Sequence, residues 1–304
     1  MGCRSAPQAI VPLVLAVLSC TYADADEVYW CQSANGDGQV WRASTDGTNA
    51  QMIFRAKNTL PEALAADPLG LKIYWFDALN WSLHRANFDG TDYETLRASG
   101  SSIRDLAVDS QARKLYWLEY MRVRRANLDG TGAEDLVVSG LSNPSSIALD
   151  QLAGKVYWTD YGSSRISRAN LDGSNVETLI YSGVNGPGGL VVDAVNGRMF
   201  WGDSGHIRQS TLDGTGVQTL FDQWVFYMDF DRLGDHFFFT DYNGHRIGRI
   251  HRDGTGLEYI VATGQYFVPS GIAFVPEPTS IGLALLAGLT LLRSRRWAGA
   301  APCR

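Results

Sequence analysis

The feature that most constrains this chain is a unit repeated six times. An aromatic pair recurs at intervals of 38 to 45 residues: Tyr29-Trp30, Tyr74-Trp75, Tyr116-Trp117, Tyr157-Trp158, Phe200-Trp201 and Phe238-Phe239. An Asp-Gly pair recurs with it, at Asp46, Asp89, Asp129, Asp172, Asp213 and Asp253. So does an apolar tripeptide ending in Asp: Leu64 to Asp67, Leu106 to Asp109, Ile147 to Asp150, Leu190 to Asp193 and, less regularly, Met228 to Asp231. A unit of this length with several short β-type segments cannot bury its own apolar faces, and radial stacking of such units gives a β-propeller. The clearest copy runs from Lys155 to Gly183.

The segments of that copy can be assigned in turn. The tripeptide is expected as strand A, lining a central channel. The aromatic pair belongs to strand B, with large rings filling the space between blades. Arg165 to Arg168 forms strand C, Asp-Gly turns the chain where glycine tolerates positive φ, and Val176 to Ile180 forms the outer strand D. Six aromatic pairs imply six blades. The first pair has no strand A before it, and the last tripeptide, Ile272 to Phe274, has no aromatic pair after it. The C-terminal strand is therefore expected to complete blade one and close the ring without free edges. The predicted fold is all-β, with a six-bladed propeller over 25–275.

Composition narrows the function. With 45% hydrophobic residues the chain has ample material for a core. A net charge of −6 and the lack of any long basic run argue against a nucleic-acid partner. Cys3, Cys20 and Cys303 lie in the terminal segments, so Cys31 alone falls in the repeats and no disulfide within the propeller is expected.

The ends read as processing signals. Residues 1–24 carry Arg4, an apolar run from Ala9 to Leu18, and Thr21-Tyr22-Ala23 before Asp24, the pattern of an export signal peptide. Val17-Leu18-Ser19-Cys20 also matches a lipoprotein box, so lipidation of Cys20 stands as the alternative to cleavage. In 276–304, Pro276-Glu277-Pro278 precedes an apolar run from Ile281 to Leu292 and then Arg293-Ser294-Arg295-Arg296. The run is shorter than the roughly 20 residues that span a bilayer comfortably, so a plain tail anchor or a buried helix stands as the alternative to a sorting signal. Pro-Glu-Pro, a short apolar helix and terminal arginines together resemble the PEP-CTERM sorting signal of bacteria. That resemblance implies an exosortase-type processing partner, at least transient membrane anchoring, and a cell-surface or extracellular location.

Tyr157-Trp158-Thr159-Asp160 with Leu171-Asp172-Gly173 resembles the YWTD repeats of low-density-lipoprotein-receptor-like proteins, over about 28–275. The resemblance implies a six-bladed propeller. Departures include Cys31-Gln32 in blade one, Leu118-Glu119 in blade three and Gly202 in blade five. No disulfide-rich modules flank the repeats, so lipoprotein uptake does not carry over.

The recurring Tyr74, Trp75, Asp77, Tyr157, Trp158, Asp160, Asp203 and Asp241 are expected to be structural. One Asp at an equivalent place in each blade suggests a bonding network between blades. The arginine four residues before each turn Asp (Arg42, Arg85, Arg125, Arg168 and Arg249, with Gln209 the exception) fits such a network through charge-assisted hydrogen bonds.

Loop length varies mainly between strands B and C, and these loops share one face with the D–A connections. Binding residues concentrate on loops of a rigid scaffold. Trp81, Tyr120, Tyr161, His206 and Tyr242 are therefore the candidate ligand-binding residues, with coverage of blade edges as the plainer alternative. Catalysis is not expected. Asp105 and Glu62 read as isolated acids, the five histidines are scattered, and neither a nucleophile elbow nor a phosphate cradle is present. No cofactor or metal is expected. The reading is an exported, non-catalytic binding protein for a protein, peptide or polysaccharide. A passive matrix protein and, further off, a metal-dependent propeller hydrolase are the alternatives.

Overall fold

The computed structural model describes residues 26–231, 234–264 and 266–277. The segment expected to direct export, the apolar run after Thr279, the arginines and Pro278 lie outside the described residues. Six four-stranded antiparallel sheets are present, and no α-helix occurs among the described residues. Blade 4 serves as the pattern: strand A Pro144–Asp150, B Lys155–Asp160, C Arg165–Asn170 and D Glu177–Ile180.

The aromatic pair is explained by the twofold alternation of a strand buried on both faces. Tyr157 packs into the cluster shared with blade 5, with Met199 and Trp201. Trp158, pointing the other way, packs with Tyr116 and Leu118 of blade 3. The same split holds around the ring, and the six hydrophobic clusters fill the six gaps between blades. Both rings are essentially inaccessible in every blade.

Closure takes the expected form. Strand A of blade 1 is the C-terminal strand Val268–Val275, paired antiparallel with Glu27–Ala34. Strands C and D of that blade are Asp37–Ser44 and Gln51–Lys57. Ile272 enters the cluster between blades 6 and 1, whereas Ala273 and Val275 enter the one between blades 1 and 2. Glu27 pairs with Val275, and the Glu277 N–H donates to Asp26 at 2.8 Å. Both described ends of the chain therefore leave from the face opposite the B–C loops.

The repeated polar residues divide the labour differently from the sequence reading. The arginine makes the link between blades, and it does so to backbone rather than to the repeated Asp. Arg85, Arg125 and Arg168 donate to the carbonyls of Leu128, Leu171 and Leu212, each at 2.8 Å, in the following blade. Arg249 donates to the Thr45 carbonyl across the closure. Each of these arginines also pairs with a strand D glutamate nine residues on: Glu94, Glu134, Glu177 or Glu258. Among the described residues the Gln209 side chain bonds Gln218 alone, at 3.2 Å, and makes no such bridge to blade 6.

The Asp instead holds loops. Asp160 accepts from the N–H groups of Ser142, Asn143 and Ser163, and Asp77 from those of Leu60, Leu79 and Asn80. One buried carboxylate thus fastens the connection arriving from the previous blade to the B–C loop of its own. The Asp-Gly turn is also longer than a two-residue hairpin. In blade 4 it spans 171–176, with the Asp172 carboxylate accepting from the Ser174 N–H and hydroxyl.

Candidate binding face

The B–C loops and D–A connections form one face because antiparallel strands place them at the same ends of the blades. Trp81, Tyr120, Tyr161 and Tyr242 sit in B–C loops with exposed rings, and His206 is the first residue of strand C in blade 5. Of the ten exposed aromatic side chains among the described residues, eight lie on this face; Tyr93 and Tyr259 lie on or beside outer strands. Four of the eight go beyond the candidates that the sequence offers: Tyr181, Trp224, Phe226 and Tyr266, all in D–A connections. A signal for one of these connections existed. From turn Asp to strand A Asp is 18 residues at Asp213–Asp231, against 21 at Asp172–Asp193.

The face is also uncharged in its loops. The twelve B–C and D–A segments comprise 47 residues without one Lys, Arg, Asp or Glu, while the loops joining A to B and C to D carry eleven. Charges near the face sit at strand ends and are mostly paired: Asp37 with Arg55, Glu119 with Arg124, Asp241 with Arg246.

The rings are buttressed by glycine. A β-carbon on Gly205, whose φ is +88°, would lie 2.8 Å from Trp224 Nε1, and one on Gly186 would lie 2.8 Å from the Tyr161 ring. Between blades 5 and 6 the Trp224 indole, 63% exposed, borders an open cleft of about 510 Å³. Ser204, His206, Asp222, Gln223, Asp241 and Asn243 complete its lining. His206 Nδ1 lies 2.7 Å from Asp222, and neither His206 Nε2 nor the Asn243 amide makes a hydrogen bond among the described residues.

The acids read as isolated are not isolated. Asp105 accepts from the Ser146 hydroxyl and the Ile147 N–H on strand A of the next blade, and feels the charge of Asp229 across the channel. Burial, only partly offset by these hydrogen bonds, pushes its pKa up to about 6. Glu62 is likewise raised by burial and held down in part by Arg104. His236 and His251, on the opposite face, are strand partners with ring centroids 4.0 Å apart. Burial and then the charge of His251 lower the His236 pKa. No group of three metal-ligating side chains occurs among the described residues.

Residues 154–194 match the low-density lipoprotein receptor repeat class B family. A human low-density lipoprotein receptor-related protein 5-like protein is 33% identical over 242 residues, covering 77% of this chain and 78% of the relative. The chain belongs to the low-density lipoprotein receptor class B repeat family. Protein cueball of Drosophila virilis is 28% identical over 155 residues, 46% of this chain but only 24% of the relative. The chain thus spans about a quarter of the length of the cueball proteins it matches. Among solved structures, a chain of the nidogen/laminin complex superposes with a TM-score of 0.72 at 21% identity, covering 82% of this chain and 98% of that one. TolB from Acinetobacter baumannii gives 0.71 at 12% identity, covering 83% and 67%. These likenesses are of fold.

Proposed function

We propose that the chain is an exported, surface-associated, non-catalytic binding propeller that takes a protein, peptide or polysaccharide on its B–C and D–A face. The observation that carries this reading is the confinement of eight exposed aromatic side chains to that one face, in loops fastened by buried carboxylates. Exposed apolar groups gathered on one surface mark binding sites, and rigid rings lose little conformational entropy on contact. Kinship with receptor-related proteins agrees with a binding role, and the nidogen/laminin structure is of a complex between two proteins.

In this reading the N-terminal segment directs export. The Pro276-Glu277-Pro278 segment is handled by an exosortase-type enzyme and holds the protein at the membrane at least transiently. The described ends leave opposite the aromatic face, which would therefore point outward. The test is a screen of the purified protein against surface proteins and glycans, repeated with Trp81→Ala, Tyr120→Ala and Tyr242→Ala. The reading expects the bound partner to be lost in these variants and kept in Leu152→Ser and Val195→Ser on the opposite face. Capture unchanged by all three aromatic substitutions would move the site elsewhere.

A further inference from the structure

We infer that the cleft between blades 5 and 6 is a subsite for a neutral sugar unit, with the Trp224 indole as its stacking surface. The inference rests on the binding role proposed above and names the ligand class for one part of that face.

The first argument is charge. Partners that are charged, including most folded protein surfaces, are steered and discriminated by complementary charge at the site. Here 47 loop residues offer none, although 19% of the chain is charged. Of the two carboxylates that reach the cleft, Asp241 is held by Arg246 Nη2 at 2.6 Å and by the Gly244 N–H, whereas Asp222 is exposed and meets only the His206 ring. No positive side chain in the cleft is free for an anion, and its one carboxylate not held by an arginine, Asp222, is open to solvent, so the lining selects against acidic ligands.

The second argument is the match of groups to a polyol. The face of an aromatic ring is the negative pole of its quadrupole and attracts polarised C–H groups, which a pyranose presents on the side where its hydroxyls are equatorial. Trp224 offers such a ring fixed in place by Gly205, where any side chain would strike the indole. Around it stand neutral hydrogen-bonding groups suited to hydroxyls, which both donate and accept. Among the described residues the Asn243 amide and His206 Nε2 have no hydrogen-bond partner, and the Gln223 amide makes only a 3.4 Å contact with the neighbouring carbonyl. The cleft, about 510 Å³, is open to solvent along the surface. Its open shape suits one unit of a chain that continues along the surface.

The experiment titrates the full protein with neutral gluco-, manno- and galacto-oligosaccharides, with acidic oligosaccharides as a comparison arm. The inference expects binding of at least one neutral series, unchanged by salt between about 0.05 and 0.5 M because no ion pair is formed. Trp224→Ala should weaken that binding about tenfold or more, and Trp224→Phe should restore part of it through the retained ring. Asn243→Ala should give a smaller loss. Each variant's thermal unfolding is measured alongside, so that misfolding is seen as such. Three results would each overturn the inference: no neutral oligosaccharide bound by the folded wild type at millimolar concentration, affinity unchanged in Trp224→Ala, or salt-sensitive binding of acidic chains only. Capture of a protein partner by the aromatic face without any sugar binding would defeat this inference while leaving the broader reading standing.

Discussion

The indole of Trp224 lies against Gly205 so closely that a β-carbon there would sit 2.8 Å from Nε1 and 3.0 Å from Cε2. The glycine also has φ +88°, a region that an L side chain enters only with strain. Gly205→Ala should therefore cost stability twice over, by about 1–3 kcal/mol in all. Only the steric share depends on the indole. In a Trp224→Ala background the same substitution should cost measurably less, and a double-mutant cycle of urea unfolding reads the difference. Equal costs in both backgrounds would mean that the ring does not rest on the glycine.

The arginine bridge supplies a gain-of-stability prediction. In blades 2, 3, 4 and 6 an arginine ties strand C to the next blade's turn carbonyl and also pairs with a glutamate, whereas blade 5 has Gln209 and Gln218 at those places. Gln209→Arg with Gln218→Glu should rebuild the bridge to the Arg252 carbonyl. A hydrogen bond from a charged donor to a partly buried acceptor contributes about 1–2 kcal/mol, while the exposed ion pair adds little. The expected result is a small rise in melting temperature for the double substitution, with the glutamate alone near neutral. No rise would indicate that the bridge is specific to the other blade junctions.

Asp105 predicts a pH dependence. Its pKa of about 6 lies above the ordinary 3.8, so between those values the folded protein keeps a proton that the unfolded chain has lost. Stability from this group is therefore full below about pH 4 and falls as pH rises through 6, by up to about 3 kcal/mol. Ser146 occupies the equivalent place in blade 4, where its hydroxyl accepts from the Leu190 N–H as Asp105 does from Ile147. Asp105→Ser should thus be tolerated and should flatten the fall in stability between pH 4.5 and pH 7. Parallel pH profiles for the two proteins would show that Asp105 is not the titrating group. The range stops above pH 4 because the turn carboxylates Asp89, Asp129 and Asp172, held low by hydrogen bonds from Thr or Ser, lose their contribution as pH falls below their ordinary range.

Much of the architecture is legible in the sequence, and the reason is geometric. A strand buried on both sides must alternate its large residues between two neighbours, so the pair Tyr157-Trp158 repeats wherever a blade has a blade on each side. An orphan aromatic pair at Tyr29 and an orphan strand at Ile272 then have one way to close the ring. Spacing identifies which residues recur but not which atoms they meet. Asp160 and Arg168 both recur, and only the structure separates the loop fastener from the blade-to-blade bridge. The same limit hid the meeting of Asp105 with Ser146 and of His236 with His251, which are distant in sequence or equivalent to unremarkable pairs such as Lys155 and Asn170 in other blades. On the aromatic face, the B–C loops stand out in the sequence because their lengths vary strongly. The D–A connections, with Trp224, Phe226 and Tyr266, carry as much exposed aromatic surface but vary less in length over most of the ring.

Closure by the C-terminal strand carries the final prediction. Strand Val268–Val275 supplies Ile272 to one inter-blade cluster and Ala273 and Val275 to the next, and Ser270 Oγ donates to the Pro61 carbonyl of blade 2. Removing 270–275 would uncover the Glu27–Ala34 edge, and with it the apolar side chains of two junctions. An edge of this length is a pairing hazard as well as a loss of packing. Burial of one large aliphatic side chain contributes about 1.5–3 kcal/mol, so the loss approaches the whole stability of a typical domain, about 5–15 kcal/mol. A chain ending at Pro269 is therefore expected to aggregate or to melt far below one ending at Glu277, with all six blades lost together rather than blade 1 alone. Hydrogen exchange distinguishes these cases, since a ring that opens cooperatively loses protection in blades 3 and 4 as well. Retained protection there, with an unchanged melting temperature, would show that the propeller stands without its closing strand.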